Sequence, residues 1–231
     1  ARLPFKLTAG QRRVVDEILS DLQRAHPMHR LLQGDVGSGK TVVAAIAAVH
    51  AISAGAQVAI MAPTEILAEQ HLHKMVDWLA PLGISTVWLT GSLTQKTRRE
   101  AAQAIKSGQA QLVVGTQALI QDKVEFANLG LIILDEQHRF GVGQRLALSK
   151  KGELSVDSDN VIPHQLNMSA TPIPRTLAMT FFADLDVSVI DELPPGRQQV
   201  VTKLLADTRR HELTAHIGAE VARGRQVYWV C

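Results

Sequence analysis

The chain has 231 residues, of which 46% are apolar and 20% charged, with 24 Lys+Arg against 22 Asp+Glu and a single cysteine, Cys231. This balance excludes global disorder and fits one large domain or one domain with part of another. It holds no uncharged apolar run of ~18 residues to span a membrane. The lone cysteine excludes an intrachain disulfide and a cysteine-based zinc site and suits a reducing cytoplasm, while a net charge of +2 gives no sign of a nucleic-acid partner.

Apolar runs alternate with helical stretches, the pattern of a parallel sheet covered by helices on both faces. In chain order the sequence predicts a helix over 9–25, a strand over 30–33, a helix over 39–54 and a strand over 57–62. A helix over 66–80, a strand over 85–89, a helix over 95–107 and strands over 111–115 and 131–135 follow, then a strand over 165–169 and a helix over 174–182. Thr64 and Thr94 can cap helix N-termini, and Gly55, Gly83 and Gly108 follow helix ends. The polar, aperiodic stretch 151–160 reads as an exposed loop.

The prolines and glycine of DELPPGRQ mark a linker over 192–198, closing a first lobe over 1–191. Beyond it a strand over 200–205, a helix over 208–223 and a strand over 226–230 read as the opening of a second α/β lobe, cut short at Cys231. The N-terminal residues ARLPFKLTAG carry no apolar signal core.

Gly34-Asp35-Val36-Gly37-Ser38-Gly39-Lys40-Thr41 fits G-x-x-x-x-G-K-T between an apolar strand and a Val/Ala-rich helix. The glycines (Gly34, Gly37, Gly39), with Ser38 among them, let backbone N–H groups turn inward around an anion, and the helix N-terminus adds partial positive charge. Lys40 offers an ammonium to the β- and γ-phosphates, and Thr41 a hydroxyl to Mg²⁺. Asp135-Glu136-Gln137-His138 ends the apolar run Leu131–Leu134, which puts two carboxylates at the C-terminal edge of a buried strand. Asp135 suits the Mg²⁺ shell, and Glu136 suits orienting and deprotonating a water.

The order of motifs resembles that of superfamily-2 DExH-type helicases and translocases. Leu7-Thr8 with Gln11 looks like their adenine-reading segment, Pro63-Thr64-Glu65 like motif Ia and Thr90-Gly91 like motif Ib. Gly115-Thr116-Gln117 looks like the next DNA-facing element, Asp135–His138 like motif II and Ser169-Ala170-Thr171-Pro172 like motif III. The strings GDVGSGKTVVA, LDEQHRFGV and SATPIPRTLAMT are similar to the RecG family of bacterial branch-migrating DNA helicases. The transcription-repair coupling factors share DVGxGKT, HRFGV and TPIPRTL; Gln137, where they usually carry Glu, favours the former.

The resemblance implies a RecA-like first lobe with a truncated second one, ATP and Mg²⁺ as cofactors, and branched double-stranded DNA as partner of a monomeric bacterial motor. It implies roles for Lys40, Asp135, Glu136, Gln137 and His138 in hydrolysis, with Thr41 and Asp135 on the metal. Thr64, Thr90, Gly91, Thr116 and Arg139 would meet DNA phosphates, and Ser169 and Thr171 would couple hydrolysis to movement. The family's wedge domain and arginine finger lie outside this sequence, so the fragment is expected to bind ATP and hardly hydrolyse it. Gly196-Arg197 lacks the finger's flanking pattern and reads as linker.

Lys96, Arg98 and Arg99 can add charge to the DNA face or form a solvated helix face, and Arg139 and Arg175 can meet DNA or the second lobe. His71 and His73, two apart on a helix, face different ways and suggest no metal array. Trp78, Trp88, Trp229, Met168 and Met179 read as packing. Two rival functions stand beside the motor: a small-acceptor P-loop kinase, which would have no use for motifs Ia and III, and a non-catalytic nucleic-acid-binding module.

Overall fold

The structure, a computed structural model, describes residues 6–136, 139–141, 143, 147–148, 150–151, 162–171, 185–192 and 200–230. Two compact units divide the chain, Ala1–Pro194 and Pro195–Cys231.

The first unit is built on seven strands: β1 (His29–Gly34), β2 (Gln57–Met61), β3 (Thr86–Leu89), β4 (Leu112–Gly115), β5 (Leu129–Asp135), β6 (His164–Ser169) and β7 (Asp186–Ile190). Its helices include α1 (Ala9–Leu22), α2 (Lys40–Ser53), α3 (Glu65–Leu79) and α4 (Gln95–Lys106). The strands form one sheet in the order β3-β4-β2-β5-β6-β1-β7, and every neighbouring pair is parallel.

Strand alternation feeds two cores. Val58, Ile60, Leu131 and Ile133 pack on one face with Val14 and Ile18 of α1, Val43 and Ala47 of α2 and Met75 of α3. Ala59, Met61, Ile132 and Leu134 turn to the other face, with Ala101 and Ile105 of α4 and Phe126. A central strand covered on both sides has no polar face, which is why these segments read as continuous apolar runs.

Two buried polar side chains tie elements of this frame together. Gln57 donates from Nε2 to the carbonyls of Ile105 (2.9 Å) and Ala110 (2.7 Å), and its Oε1 accepts the Asn128 N–H at 3.0 Å. Arg30 donates to Asp21 (2.7 Å) and Ser188 (2.8 Å), joining α1, β1 and β7.

The six expected strands and first four expected helices all form, with ends shifted by a few residues; α1, for example, stops at Leu22. Thr64 and Thr94 cap α3 and α4 as expected. Thr8 caps α1 with Gln11 in a reciprocal capping box, a T-x-x-Q signal the sequence carries openly. β7 was not anticipated. It is an edge strand whose residues alternate between exposed and buried, so it lacks the long apolar run that marks its neighbours.

The expected helix over 174–182, with Arg175 and Met179, lies outside the described residues, as do Gln137, His138, the stretch 152–161 and linker residues 193–199.

In the second unit the strand expectations are corrected. Residues 200–205 and 226–230 form no strand, and none of residues 200–230 is buried. A strand exists through its neighbours' hydrogen bonds, and two short segments bury too little to hold each other. The helix expected there does form, as α5 (Arg210–Ala222), after a 3-10 turn at Asp207–Arg209. Trp229 is not core: it is 45% exposed, with the Arg210 guanidinium 5.7 Å from its ring.

Candidate nucleotide and nucleic-acid site

Because the strands are parallel, their C-terminal ends share one edge, where α/β folds bind ligands. The strand order sorts the motif loops along that edge. Thr90-Gly91 follow β3, Thr116 follows β4 and Thr64 follows β2, so the loops resembling DNA contacts occupy one half. Asp135 ends β5, Ser169 ends β6 and the P-loop follows β1, so the phosphate-type motifs occupy the other half. Register levels them: Gln33 pairs with Ser169, and Asp135 with Met168.

Gly37 (φ 82°) and Gly39 (φ 89°) bend the P-loop through the left-handed region. A side chain at Gly39 would also overlap Gln11 Nε2. Lys40 opens α2, whose first N–H groups point at the loop. Its Nζ donates to the carbonyls of Gly34 (2.6 Å) and Asp35 (3.0 Å). Burial lowers the Lys40 pKa, opposed by the nearby charges of Asp135, Glu136 and Asp35 in that order. The acid pair is thus near enough for its charge to act on the ammonium.

Gln11 donates from Nε2 to the Ser38 carbonyl at 2.8 Å, while its Oε1 accepts the Thr8 N–H at 3.0 Å. These bonds use one of the amide's two N–H groups and one oxygen lone pair. The position expected to read a base thus also braces the P-loop. Ser38 is buried and Thr41 half-buried.

Asp135 is held at both oxygens: Oδ2 lies 2.7 Å from His71 Nε2, and Oδ1 accepts the Glu136 N–H at 3.1 Å. His71 sits on α3, buried, whereas His73 faces solvent. The two histidines face different ways, as their spacing predicts, but nothing in sequence spacing connects His71 with a residue 64 positions away. Glu136 is the one non-glycine residue with positive φ among the described residues, at 50°. Its left-handed backbone turns the chain sharply off β5, a strained geometry that concentrates at functional sites.

Thr41 and Asp135 offer a hydroxyl and a carboxylate, hard oxygens that suit Mg²⁺ when phosphates and water complete its shell. Among the described residues no three His, Cys, Asp or Glu side chains gather as an all-protein cage. The donor set therefore fits a phosphate-bound Mg²⁺.

Ser169, fully buried, bonds Thr171 through both hydroxyls at 2.8 Å and accepts the Thr171 N–H at 3.2 Å, so motif III is a closed turn between the P-loop and Asp135. On the other half, Thr64 and Gly91 are exposed and Thr116 is half-buried, while Arg139, which follows Glu136, is exposed as well. Thr90 is fully buried, its hydroxyl 3.1 Å from that of Ser92, so its side chain faces inward. Arg98 donates to the Gly91 carbonyl at 2.6 Å, which gives it a structural task in that loop, whereas Lys96 and Arg99 are exposed. Gly115 is required by close approach: a Cβ there would overlap the Leu89 carbonyl oxygen.

Residues 8–180 match the family described as DEAD/DEAH box helicase. Over its whole length the chain is 57% identical to the ATP-dependent DNA helicase RecG of Escherichia coli (strain K12), and over 98% of it is 52% identical to that of Aquifex aeolicus. The chain spans about a third of the length of these curated relatives, 33% and 28% respectively.

A solved structure of RecG bound to a three-way DNA junction is 44% identical, with a TM-score of 0.80 over 96% of this chain and 29% of that one. The DEAD-box helicase Mss116 bound to ssRNA and UDP-BeF, at 21% identity and a TM-score of 0.62 over 94% of this chain and 48% of that one, shares the fold. No helix among the described residues is long and apolar enough to cross a membrane. Since the matched region takes in both halves of the motif-bearing edge, the chain belongs to the DEAD/DEAH box helicase family and is similar from end to end to RecG.

Proposed function

We propose that this chain is the ATP-binding part of a motor that moves on double-stranded DNA and remodels branched DNA, regressing forks and migrating Holliday junctions in bacterial repair and recombination. The observation that carries the reading is the sorting of motif loops along one sheet edge, phosphate-type on one half and nucleic-acid-type on the other. The branched substrate is inferred from similarity to RecG, one member of which is described bound to a three-way junction. Monomeric action and a cytoplasmic site are parts of the same proposal, as are a first lobe over 1–191, a linker over 192–198 and a second lobe beginning at 199.

In this reading Gln11 meets the base, and the N–H groups of Gly34–Thr41 cradle the phosphates. Lys40 exchanges its loop carbonyls for β- and γ-phosphate oxygens. Thr41 and Asp135 hold Mg²⁺, which when bound neutralises charge on the phosphates. Glu136, turned off the strand by its backbone, orients the attacking water and takes its proton. Gln137, His138, Ser169 and Thr171 carry the loss of the γ-phosphate toward the nucleic-acid half. Thr64, Gly91, Thr116 and Arg139 hold DNA phosphates, with the Thr90 position acting through its backbone, contacts that carry little sequence information.

Filter binding of the 231-residue chain against ATP, forked DNA, linear duplex and RNA tests the reading. The expected result is binding of ATP and of duplex DNA over RNA, with little turnover. A chain that binds ATP and ignores DNA would be a kinase-like P-loop protein, and a preference for RNA would overturn the DNA assignment.

A further inference from the structure

The pairing of His71 with Asp135 crosses between the two halves of the edge. His71 belongs to α3, which begins beside Thr64 on the nucleic-acid half; Asp135 ends β5 on the phosphate half. His71 is 7% exposed, its Nε2 lies 2.7 Å from Asp135 Oδ2, and its Nδ1 is buried without a hydrogen-bond partner among the described residues. A proton on Nδ1 would be a buried donor left unpaired, so the ring carries its proton on Nε2 and donates it to the carboxylate.

With Oδ1 engaged by the Glu136 N–H, both oxygens are fixed, and each keeps a lone pair for a metal. The opposing charge also matters. Lys40 is near enough to Asp135 to feel its field, and a carboxylate free to turn is drawn toward that ammonium. A ligand locked by a neighbouring donor avoids that collapse, and metal sites generally depend on such outer partners.

We propose that His71 is a positioning residue: it locks the Asp135 carboxylate in the orientation that accepts a phosphate-bound Mg²⁺. This role rests on the nucleotide-site reading above.

The test is the Mg²⁺ affinity of the 231-residue chain bound to a fluorescent ATP analogue, measured beside the analogue's affinity in EDTA, for wild type, His71→Leu and His71→Gln. His71→Leu fills the space without a donor, while the His71→Gln amide can donate to Oδ2. The expected result is a Mg²⁺ affinity lowered about 10–100-fold in His71→Leu, the range for lost outer-shell partners. Affinity in EDTA should be unchanged, and His71→Gln should recover most of the loss. His71→Met replaces His71→Leu should the latter not fold.

Unchanged Mg²⁺ affinity in the apolar variant overturns the role, and so does equal impairment of His71→Leu and His71→Gln, which would make His71 a packing residue. A wild-type chain that binds the analogue equally with and without Mg²⁺ overturns the metal-site reading itself, and this role with it.

Discussion

Glu65, the first residue of α3, accepts the N–H of Ser92 at 3.1 Å and so ties the loop after β3 to the helix that follows β2. Hydrogen bonds from Ser92 hold the Glu65 pKa below the ordinary carboxylate value. Arg98 fastens the same loop from the other side through the Gly91 carbonyl. Thr64 and Gly91, two expected phosphate contacts, are thereby kept at a fixed separation. Glu65→Ala is expected to weaken duplex DNA binding severalfold at moderate salt while leaving ATP affinity unchanged. Filter binding of both ligands checks this, and a parallel loss of ATP affinity would contradict it.

The left-handed backbone of Glu136 gives a stability signature separate from chemistry. A side chain in this region costs roughly 1–2 kcal/mol, and glycine avoids that cost while losing more chain entropy on folding. Glu136→Gly is therefore expected to unfold at higher urea than Glu136→Ala, by roughly 0.5–1 kcal/mol. In a chain of the relatives' full length both variants should lose hydrolysis. A Glu136→Ala chain as stable as Glu136→Gly would mean the backbone is unstrained.

Arg30 is the polar hub behind the P-loop, 9% exposed, pairing with Asp21 at 2.7 Å and lying 3.6 Å from Glu17. Arg30→Met leaves the buried Asp21 charge with only the more exposed Arg24, 3.0 Å away, and is expected to cost about 1–3 kcal/mol. The double change Arg30→Met, Asp21→Leu removes both charges and should recover a large part of that. Urea unfolding of the three chains checks the pattern, and purely additive losses would contradict it.

His164 gives a pH dependence. Its Nδ1 accepts the Met28 N–H at 2.9 Å, and burial lowers its pKa below the ordinary 6.5, with Asp21 opposing. The unfolded chain therefore takes up the proton first. The stabilising contribution is complete above 6.5 and is lost as pH falls from there toward the folded pKa. Unfolding free energy should fall more steeply between pH 7 and pH 5 in the wild type than in His164→Gln. Parallel slopes would remove His164 as the cause.

The parts of the molecule legible in the sequence are those written in contiguous residues. Leu131–Leu134 announced a doubly covered strand, G-x-x-x-x-G-K-T its phosphate loop, and Thr64 and Thr94 their helices. What stayed hidden depends on residues brought together by the strand order. His71 meets Asp135 only because the fold brings α3 over the end of β5, and Arg30 meets Ser188 across 158 positions because β7 adds to the sheet beside β1. Thr90, marked as a contact by resemblance alone, lies just past β3 with its side chain buried, which leaves its backbone for such a role, and Gly91 takes the exposed place. The segments 200–205 and 226–230 have strand-like patterning, but pattern alone supplies no neighbour to pair with.

The central claim, that the P-loop edge powers work on branched DNA, is tested most directly by ATP hydrolysis in a chain of the relatives' full length carrying this sequence, with forked DNA or single-stranded RNA added. The account predicts strong stimulation by forked DNA, none by RNA, and loss of the stimulated rate in Lys40→Ala with fork binding retained. Hydrolysis indifferent to DNA, or stimulated equally by RNA, would contradict it.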